Sequence, residues 1–546
     1  MPRAMTEKLR WRPAPMTGWF DPRVMAQSAA MLLTANIFGR NSDTRLIEAL
    51  GSQPQDAFDY SNRAGDFWID YVADLGDGWN PTYAIAEAMA RETVLDTRAG
   101  DVLVMGGDQV YPYPGRDAYA RHTESPYAEA FSTRTRRPDV FAIPGNHDWF
   151  DSLIAFSRLF CRPERGFAGC RTRQTRSYFA MHLPREWWLL GVDLQLGADF
   201  DEPQLKYFRD VAARMGPTAN IVLCVPEPQW LYAVTYPSYE SYSARTLDYF
   251  CDEVIRRPVC VMLSGDLHFY RRYSNAADQH RITAGGGGAF LHPTHRPDVP
   301  ELQDGFTERA CYPSKPKSAR LAWRNLLFPL LNPRACLLPA VVYGLSAWIA
   351  SSRLNLADIQ GFGDALSSSL HVAVRDPFCG LWLLLVVAAL VFFTDTHSRL
   401  YRVIGGGLHA VAHLFVALVL AWSAMRLTVD AFGLNYGDPL QLIIAGAMTF
   451  VAGGVLGGLV TGLYLLLSVN VFGRHNNESF SSLRIQDCKH WLRLCIDEAG
   501  VLTIRAMAID RVPRRWRADA AGRPVADDAR ASGVREVDRV SVRPRS

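Results

Sequence analysis

The sequence predicts a layered α/β domain joined to an α-helical membrane domain, and three observations carry that expectation. Short apolar runs alternate with polar-faced helical stretches between residues 60 and 300, four long apolar runs follow between 335 and 473, and polar sequence resumes at His475. At 546 residues the chain exceeds one ordinary domain of about 100–200 residues.

The first zone supplies the α/β pattern. Runs 102–105, 140–143, 188–192, 221–225 and 259–263 are brief, branched or aliphatic, and bounded by Gly, Pro or Asp, as buried strands are. Stretches 83–99 and 201–215 carry helical spacing with polar faces. Alternating strands and helices point to layers around one core.

In the second zone, runs 335–351, 378–394, 408–425 and 440–472 are nearly uncharged. A hydrocarbon core of ~30 Å requires roughly 17–25 such residues, so about four transmembrane helices are expected. Arg309, Lys315, Lys317, Arg320, Arg324 and Arg334 precede the first run, and His397, Arg399 and Arg402 separate the second from the third. The intervening loops, with Asp358, Asp364, Asp376, Asp430 and Asp438, are poorer in Lys and Arg. That asymmetry predicts a multi-pass protein of the inner (cytoplasmic) membrane, with the first domain and the C-terminus both cytoplasmic. Run 440–472 is long for a single helix at ~1.5 Å per residue, which leaves one span or two open. Gly453, Gly454, Gly457, Gly458 and Gly462 give it a small-residue face for packing within the chain or, secondarily, for a homodimer. His409 and His413, one turn apart, read as a hydrogen-bonded pair in preference to a metal site.

In the third zone, 482–485, 491–496 and 501–507 read as strands, with a turn at Asp497-Glu498-Ala499-Gly500. From Asp519 the composition predicts disorder. The expected organisation is therefore an N-terminal extension (1–59), the α/β domain (60–305), a basic juxtamembrane linker (306–334), the transmembrane domain (335–473), a small β-rich segment (474–518) and a tail (519–546).

Charge excludes one class of partner: 58 basic against 55 acidic residues, a net +3, offers no electrostatic footprint for nucleic acid. Ten scattered cysteines form no CxxC pair and read as reduced thiols. Residues 28–38 are short and interrupted, so no secretory signal is read there.

Four segments end strand-like runs with metal-ligating residue types: Asp74-Leu75-Gly76-Asp77, Gly107-Asp108-Gln109-Val110-Tyr111, Gly145-Asn146-His147-Asp148 and Gly265-Asp266-Leu267-His268. Ligands at strand C-termini converge on one edge of a sheet, where α/β proteins bind substrates. In this order the segments resemble the calcineurin-like metallophosphoesterase superfamily over about residues 60–290. Asp74-x-Gly76 and Tyr111 resemble the purple acid phosphatase variant. Gly145–Asp151 (GNHDWFD), GDLHFY from Gly265 and AGGGGAFLHPTH from Ala284 resemble a bacterial membrane-bound branch.

The resemblance implies a four-layer α/β/β/α sandwich and a two-metal phosphoesterase, the ions being Mn, Fe, Mg or Zn with Mn/Fe favoured. It implies attack of a metal-bound hydroxide on a phosphomonoester or phosphodiester, with lipid-linked substrates suggested only by the membrane. Asp108 would bridge the metals; Asp74, His268 and Tyr111 would complete one site. Asn146 would enter the other. His147 would serve as acid or phosphate contact, oriented by Asp148.

Two departures from the family pattern fall on that second site. Segment 222–230 contains no histidine, leaving Glu227 as the nearest candidate ligand, and Asp266 stands where a histidine is expected. Carboxylates replacing imidazoles would make an oxygen-rich site suited to Mn or Mg. The alternative is a degraded site in a weakly active or inactive membrane sensor or scaffold. Asp70 and Asp77 read as turn caps, and Gly285–Gly288 as a tight turn beside the site. His292, His295, Arg271 and Arg272 are candidate substrate contacts.

Overall fold

The computed structural model describes residues 11–38, 55–194, 199–238, 244–394 and 398–545. His397, counted above among the topology-setting residues, lies outside them. The chain divides into two compact units: Met1–Thr17, Ala26–Ser318 and Arg484–Ser546 form the first, and Gly18–Met25 with Ala319–Leu483 form the second.

The first unit is built on two sheets. Its strands are β1 (Phe58–Asp59), β2 (Phe67–Val72), β3 (Val102–Met105), β4 (Asp139–Ala142), β5 (Arg171–Thr172), β6 (Phe179–His182), β7 (Trp187–Gly191), β8 (Asn220–Val225), β9 (Val259–Ser264), β10 (Tyr270–Ser274), β11 (His280–Ala284), β12 (Thr307–Tyr312), β13 (Lys489–Ile496), β14 (Leu502–Ile509) and β15 (Val534–Val542). The seven-stranded sheet has the order β15-β14-β13-β2-β3-β4-β5, and the eight-stranded sheet β1-β6-β7-β8-β9-β11-β10-β12. β2, β3 and β4 run parallel, as do β7, β8, β9 and β11. Parallel strands covered on both faces need apolar side chains throughout, which is why their sequences read as unbroken aliphatic runs.

One face of the seven-stranded sheet packs against helices Trp79–Ala90, Ser125–Phe131 and Ile154–Phe160. One face of the other packs against Glu202–Ala212 and Gln229–Thr235. Between the sheets, the Phe141 ring lies 4.9 Å from Phe58 and 5.0 Å from Phe179. Helices thus cover outer faces while aromatic rings fill the gap between the sheets.

Three sequence expectations change here. The helix expected over 83–99 is Trp79–Ala90, followed by a hairpin of Thr93–Val94 and Thr97–Arg98. β-branched residues on both arms and a left-handed Leu95 (φ 54°) at the turn favour that hairpin. The segment 482–485 is not a strand: helix Asn476–Ser481 precedes it, and the Ser482 hydroxyl bonds back to the Ser479 carbonyl at 2.8 Å. The tail expected to be disordered contains β15, which pairs antiparallel with β14 through a register shift at Ala506/Met507. That shift accommodates irregularly spaced valines, and Asp538 on β15 accepts two bonds from Arg272, at 2.6 and 3.1 Å.

The second unit holds helices Leu337–Ser351, Phe362–Arg375, Pro377–Phe393, Arg399–Arg426 and Pro439–Leu467. Among the described residues, two continuous helical segments, Arg399–Ala431 and Pro439–Phe472, are long and apolar enough to cross a membrane. Phe362–Arg375 and Pro377–Phe393 meet that description only as a pair, bent by 103°. Run 440–472 is therefore one helix, while Leu337–Ser351, at 15 residues, is short for a ~30 Å core. The glycine face is filled by the chain itself: Gly453 abuts Tyr343, Gly457 abuts Pro339 and Gly458 abuts Cys336. Among the described residues, all ten cysteines are free thiols. The His409 and His413 Nε2 atoms lie 3.0 Å apart, with Tyr343 on His413 Nδ1 at 2.8 Å, so this pair is hydrogen-bonded.

Candidate metal centre

The candidate residues follow the C-terminal ends of parallel strands. Asp74 comes after β2, Asp108 after β3, Asn146, His147 and Asp148 after β4, Glu227 after β8, and Asp266 and His268 after β9. Asp74, Asp108 and Asp266 have φ values of 60°, 50° and 66°. Left-handed backbone costs a non-glycine residue about 1 kcal/mol or more, and aspartate tolerates it better than most. The turns thereby aim carboxylates back across the strand ends. Close approach also demands glycine: a Cβ on Gly145 would overlap the Asp108 carboxylate, and one on Gly285 would overlap that of Asp74.

The floor of the site is buried and convergent. The Tyr111 hydroxyl lies 2.9 Å from Asp74 Oδ1, 3.1 Å from Asp108 Oδ2 and 3.0 Å from His268 Nε2. His268 Nδ1 sits 2.7 Å from the Phe290 carbonyl, which can only accept. The proton therefore resides on Nδ1, and Nε2 turns its lone pair toward Asp74 and Tyr111. The Asp266 amide donates to both Asp74 oxygens, at 3.1 and 3.0 Å, and the His147 amide donates to Asp108 Oδ1 at 2.8 Å.

Asn146, His147, Glu227 and Asp266 are only half-buried and form the rim. Asn146 Oδ1 is itself enclosed and has no hydrogen-bond partner. The Tyr232 hydroxyl donates to Asp266 Oδ2, and Gln229 reaches Glu227 at 3.5 Å. His147 Nδ1 donates to the Pro112 carbonyl at 2.7 Å.

Asp148 does not orient His147 as expected. Its carboxylate accepts the amides of Gly145 (2.8 Å) and Gln109 (3.3 Å) and the Tyr119 hydroxyl. It holds the turn that carries Asn146 and His147, because a fully buried carboxylate is best satisfied by the nearest unpaired amides. Other candidates are structural. Asp77 accepts the amides of Thr17 and Phe290, Asp70 pairs with Arg493, Arg271 donates to the Thr294 carbonyl and Arg272 binds Asp538. His292 stacks on His268 at 3.9 Å, and His295 bonds Ser318.

Electrostatically the carboxylates outnumber the one buried ammonium that feels Asp74, that of Lys489. Burial, then Asp108 and Asp266, raises the Asp74 carboxyl well above the carboxylate range. Burial with Asp266 pushes Asp108 and Glu227 each up to about 8. Burial also raises Asp266, and burial followed by His292 lowers His268.

Among the described residues, no three His, Cys, Asp or Glu side chains close into a metal cage by themselves; the meeting point is the Tyr111 phenol. The donor set nevertheless fits cations. Mutually repelling carboxylates, an imidazole lone pair turned inward and an orphaned amide oxygen are all acceptors awaiting positive charge.

Sequence reasoning missed Tyr119, Tyr232 and Lys489. Lys489 is fully buried and donates to the Ala289 carbonyl at 2.5 Å, beside the Gly285–Gly288 turn. Nothing local to residue 489 signals that neighbour, which lies two hundred positions away in sequence.

No protein-family model and no curated protein matches this chain. Among solved structures, GAP50, described as the anchor in the inner membrane complex of Plasmodium, is 14% identical (TM-score 0.34), covering 44% of this chain and 78% of its own. Purple acid phosphatase PPD1 from yellow lupin (Lupinus luteus) seeds is 13% identical (TM-score 0.32), covering 44% here and 48% of its own chain. PhoD is 12% identical (TM-score 0.31), covering 44% and 60%. Every TM-score is below 0.5, so these likenesses carry no functional argument.

Proposed function

We propose that the first unit is a metal-dependent phosphoesterase, an α/β/β/α sandwich anchored to a membrane by the second. The observation that supports it most is the convergence of Asp74, Asp108 and His268 on one phenol from three strand ends, 2.9–3.1 Å away. Asp74, Asp108, Tyr111 and His268 would hold one cation, and Asp108, Asn146, Glu227 and Asp266 a second. When bound, such ions supply charge neutralisation for a phosphoryl group and acidify a water molecule. The rim's oxygen donors favour Mn or Mg over Zn.

The chain's own groups divide the remaining work. Asp148 and Tyr119 fix the turn that presents Asn146. The Pro112 carbonyl holds His147 Nδ1, so Nε2 is the atom that exchanges a proton with a leaving-group oxygen. Tyr232 holds Asp266. Phe150 packs against His147 at 5.0 Å and limits water at its edge.

The strand pairing constrains the membrane topology. β13 pairs with β2 (Leu494 with Ile69), so sequence on either side of the second unit belongs to one sheet, which supports placing both on one side of a bilayer. An even number of crossings by the intervening segment, two or four, fits this reading better than three. The basic residues flanking the first apolar run support a cytoplasmic location for that side. The substrate is a phosphate ester, a lipid-linked one being the reading favoured by the membrane anchor.

The replacement of two family histidines by Glu227 and Asp266 favours a second reading, a scaffold without turnover. Purified full-length protein in detergent separates the two. Two Mn per chain with cleavage of bis(p-nitrophenyl) phosphate or p-nitrophenyl phosphate supports the enzyme; none or one with no turnover supports the scaffold.

A further inference from the structure

Away from the strand ends, a cavity of ≈ 440 Å³ opens between helix Arg116–Tyr119 and the segment running from helix Ile154–Phe160 to Arg165. Four guanidinium groups line it: Arg116, Arg158, Arg162 and Arg165. Arg158 lies on helix Ile154–Phe160 and Arg162 just beyond its end, and both side chains are exposed. Other arginines in this unit are neutralised directly, among them Arg493 by Asp70 at 2.8 Å and Arg171 by Asp139 at 2.9 Å. Here only Arg165 has that support, from Glu124 at 3.0 Å. Among the described residues, no carboxylate makes an ion pair with Arg116, Arg158 or Arg162.

The remaining wall is Tyr119, Leu159 and Ala155, with Glu164 the one acidic residue at the edge. Three unpaired guanidinium groups against that single carboxylate leave a net of about two positive charges, the complement of a phosphate monoester carrying about −1.5 to −2. Guanidinium forks also match phosphate geometry bidentately. The volume exceeds what a bare anion fills and lies within the range of small-molecule sites, about 300–1,000 Å³. The apolar strip along Tyr119 and Leu159 suits the organic part of such an ester.

We propose that this cavity is a second binding site, separate from the candidate metal centre, for a phosphomonoester group attached to an apolar moiety. It stands independently of the phosphoesterase reading, because it needs neither metals nor turnover. It also has a route to the first site: Tyr119 lines the cavity, and its hydroxyl bonds the Asp148 carboxylate that holds the Gly145 amide.

The group is available from a free ester or from a phosphatidic acid headgroup, so the test has two arms. Phenyl phosphate is titrated by calorimetry into the full chain in neutral detergent with EDTA, which prevents metal-dependent hydrolysis and removes the cations that would hold a phosphate at the metal centre. Saturable binding is expected in wild type and in Asp108→Ala alike. Arg158→Ala/Arg162→Ala should weaken it by about tenfold or more, and Arg158→Lys/Arg162→Lys by much less, because charge persists while the fork is lost. Arg158 and Arg162 are exposed and Asp108 lies outside the cavity's lining, and far-UV circular dichroism checks the fold of each variant. Displacement of phenyl phosphate by phosphatidic acid vesicles, but not by phosphatidylcholine vesicles, assigns the lipid headgroup; retention in both supports a soluble ester. Unchanged binding in the Ala variant, loss of binding in Asp108→Ala, or no saturable binding in wild type overturns the proposal.

Discussion

Asp70 and Asp74 are four residues apart on and just beyond the same strand, both buried, and their surroundings are opposites. Asp70 accepts two bonds from Arg493, at 2.8 and 3.1 Å, with further donors from the Trp491 indole and the Gly100 amide. Asp74 receives the Asp266 amide and the Tyr111 hydroxyl but faces Asp108 and Asp266, two more acids. The chain thus neutralises a buried carboxylate completely where the need is structural. Four residues later it assembles acids and leaves the positive charge to come from elsewhere. Burying an uncompensated carboxylate is expensive, so an unpaired cluster points to a ligand that completes it.

That contrast can be broken most directly at Asp108. Asp108→Ala should abolish the second Mn equivalent and lower phosphoester turnover by more than about 100-fold, because the proposed bridge exceeds the 10–100-fold typical of residues that only orient ligands. Metal analysis and turnover measured on one preparation check both; full turnover would refute the site.

At Asp70 the opposite experiment applies. Arg493→Met strands a buried carboxylate and should destabilise the first unit by about 3–5 kcal/mol. Asp74→Asn should instead raise the melting temperature of the metal-free protein at alkaline pH, since it removes a carboxyl whose ionisation there adds a repelling charge. Opposite signs in thermal melts would sharpen the comparison, and equal losses would dissolve it.

pH offers a third test. Asp108 and Glu227 are pushed up to about 8, so between about pH 4 and 8 the folded metal-free protein binds more protons than the unfolded chain. Its stability should therefore fall as pH rises through that window. Bound Mn replaces those protons, so saturating Mn should flatten the slope, and Mn affinity should weaken as pH drops. A metal-free melting temperature that climbs from pH 6 to 8.5 would contradict the assignment.

The smallest effect is expected at Tyr232→Phe. Losing the hydroxyl on Asp266 should weaken binding of the second cation by about tenfold and leave the first untouched.

Much of this was legible before any coordinates. The aliphatic runs around Val102, Ile221 and Val259 announced strands because parallel strands have no solvent face to mark with polar residues. The Asp-, Asn- and His-bearing turns after them announced a site because their spacing placed acceptors at strand ends. β15 was missed because its valines are irregularly spaced and its charged residues, Arg535, Glu536, Asp538 and Arg539, suit an edge strand as well as a tail. The role of Asp148 was misjudged because adjacency to His147 suggested contact, whereas the turn directs the carboxylate to amides at Gln109 and Gly145.

The sequence by itself determined the central parallel strands, the two long apolar helices, and which short turns carry acceptor groups, because these follow from local periodicity and residue chemistry. Only the tertiary structure decided that Asp70 is neutralised while Asp74 is not. Arg493 arrives from a strand more than four hundred residues beyond Asp70, after the whole of the second unit. Whether a buried charge is paired depends on through-space neighbours, and sequence separation places no limit on those.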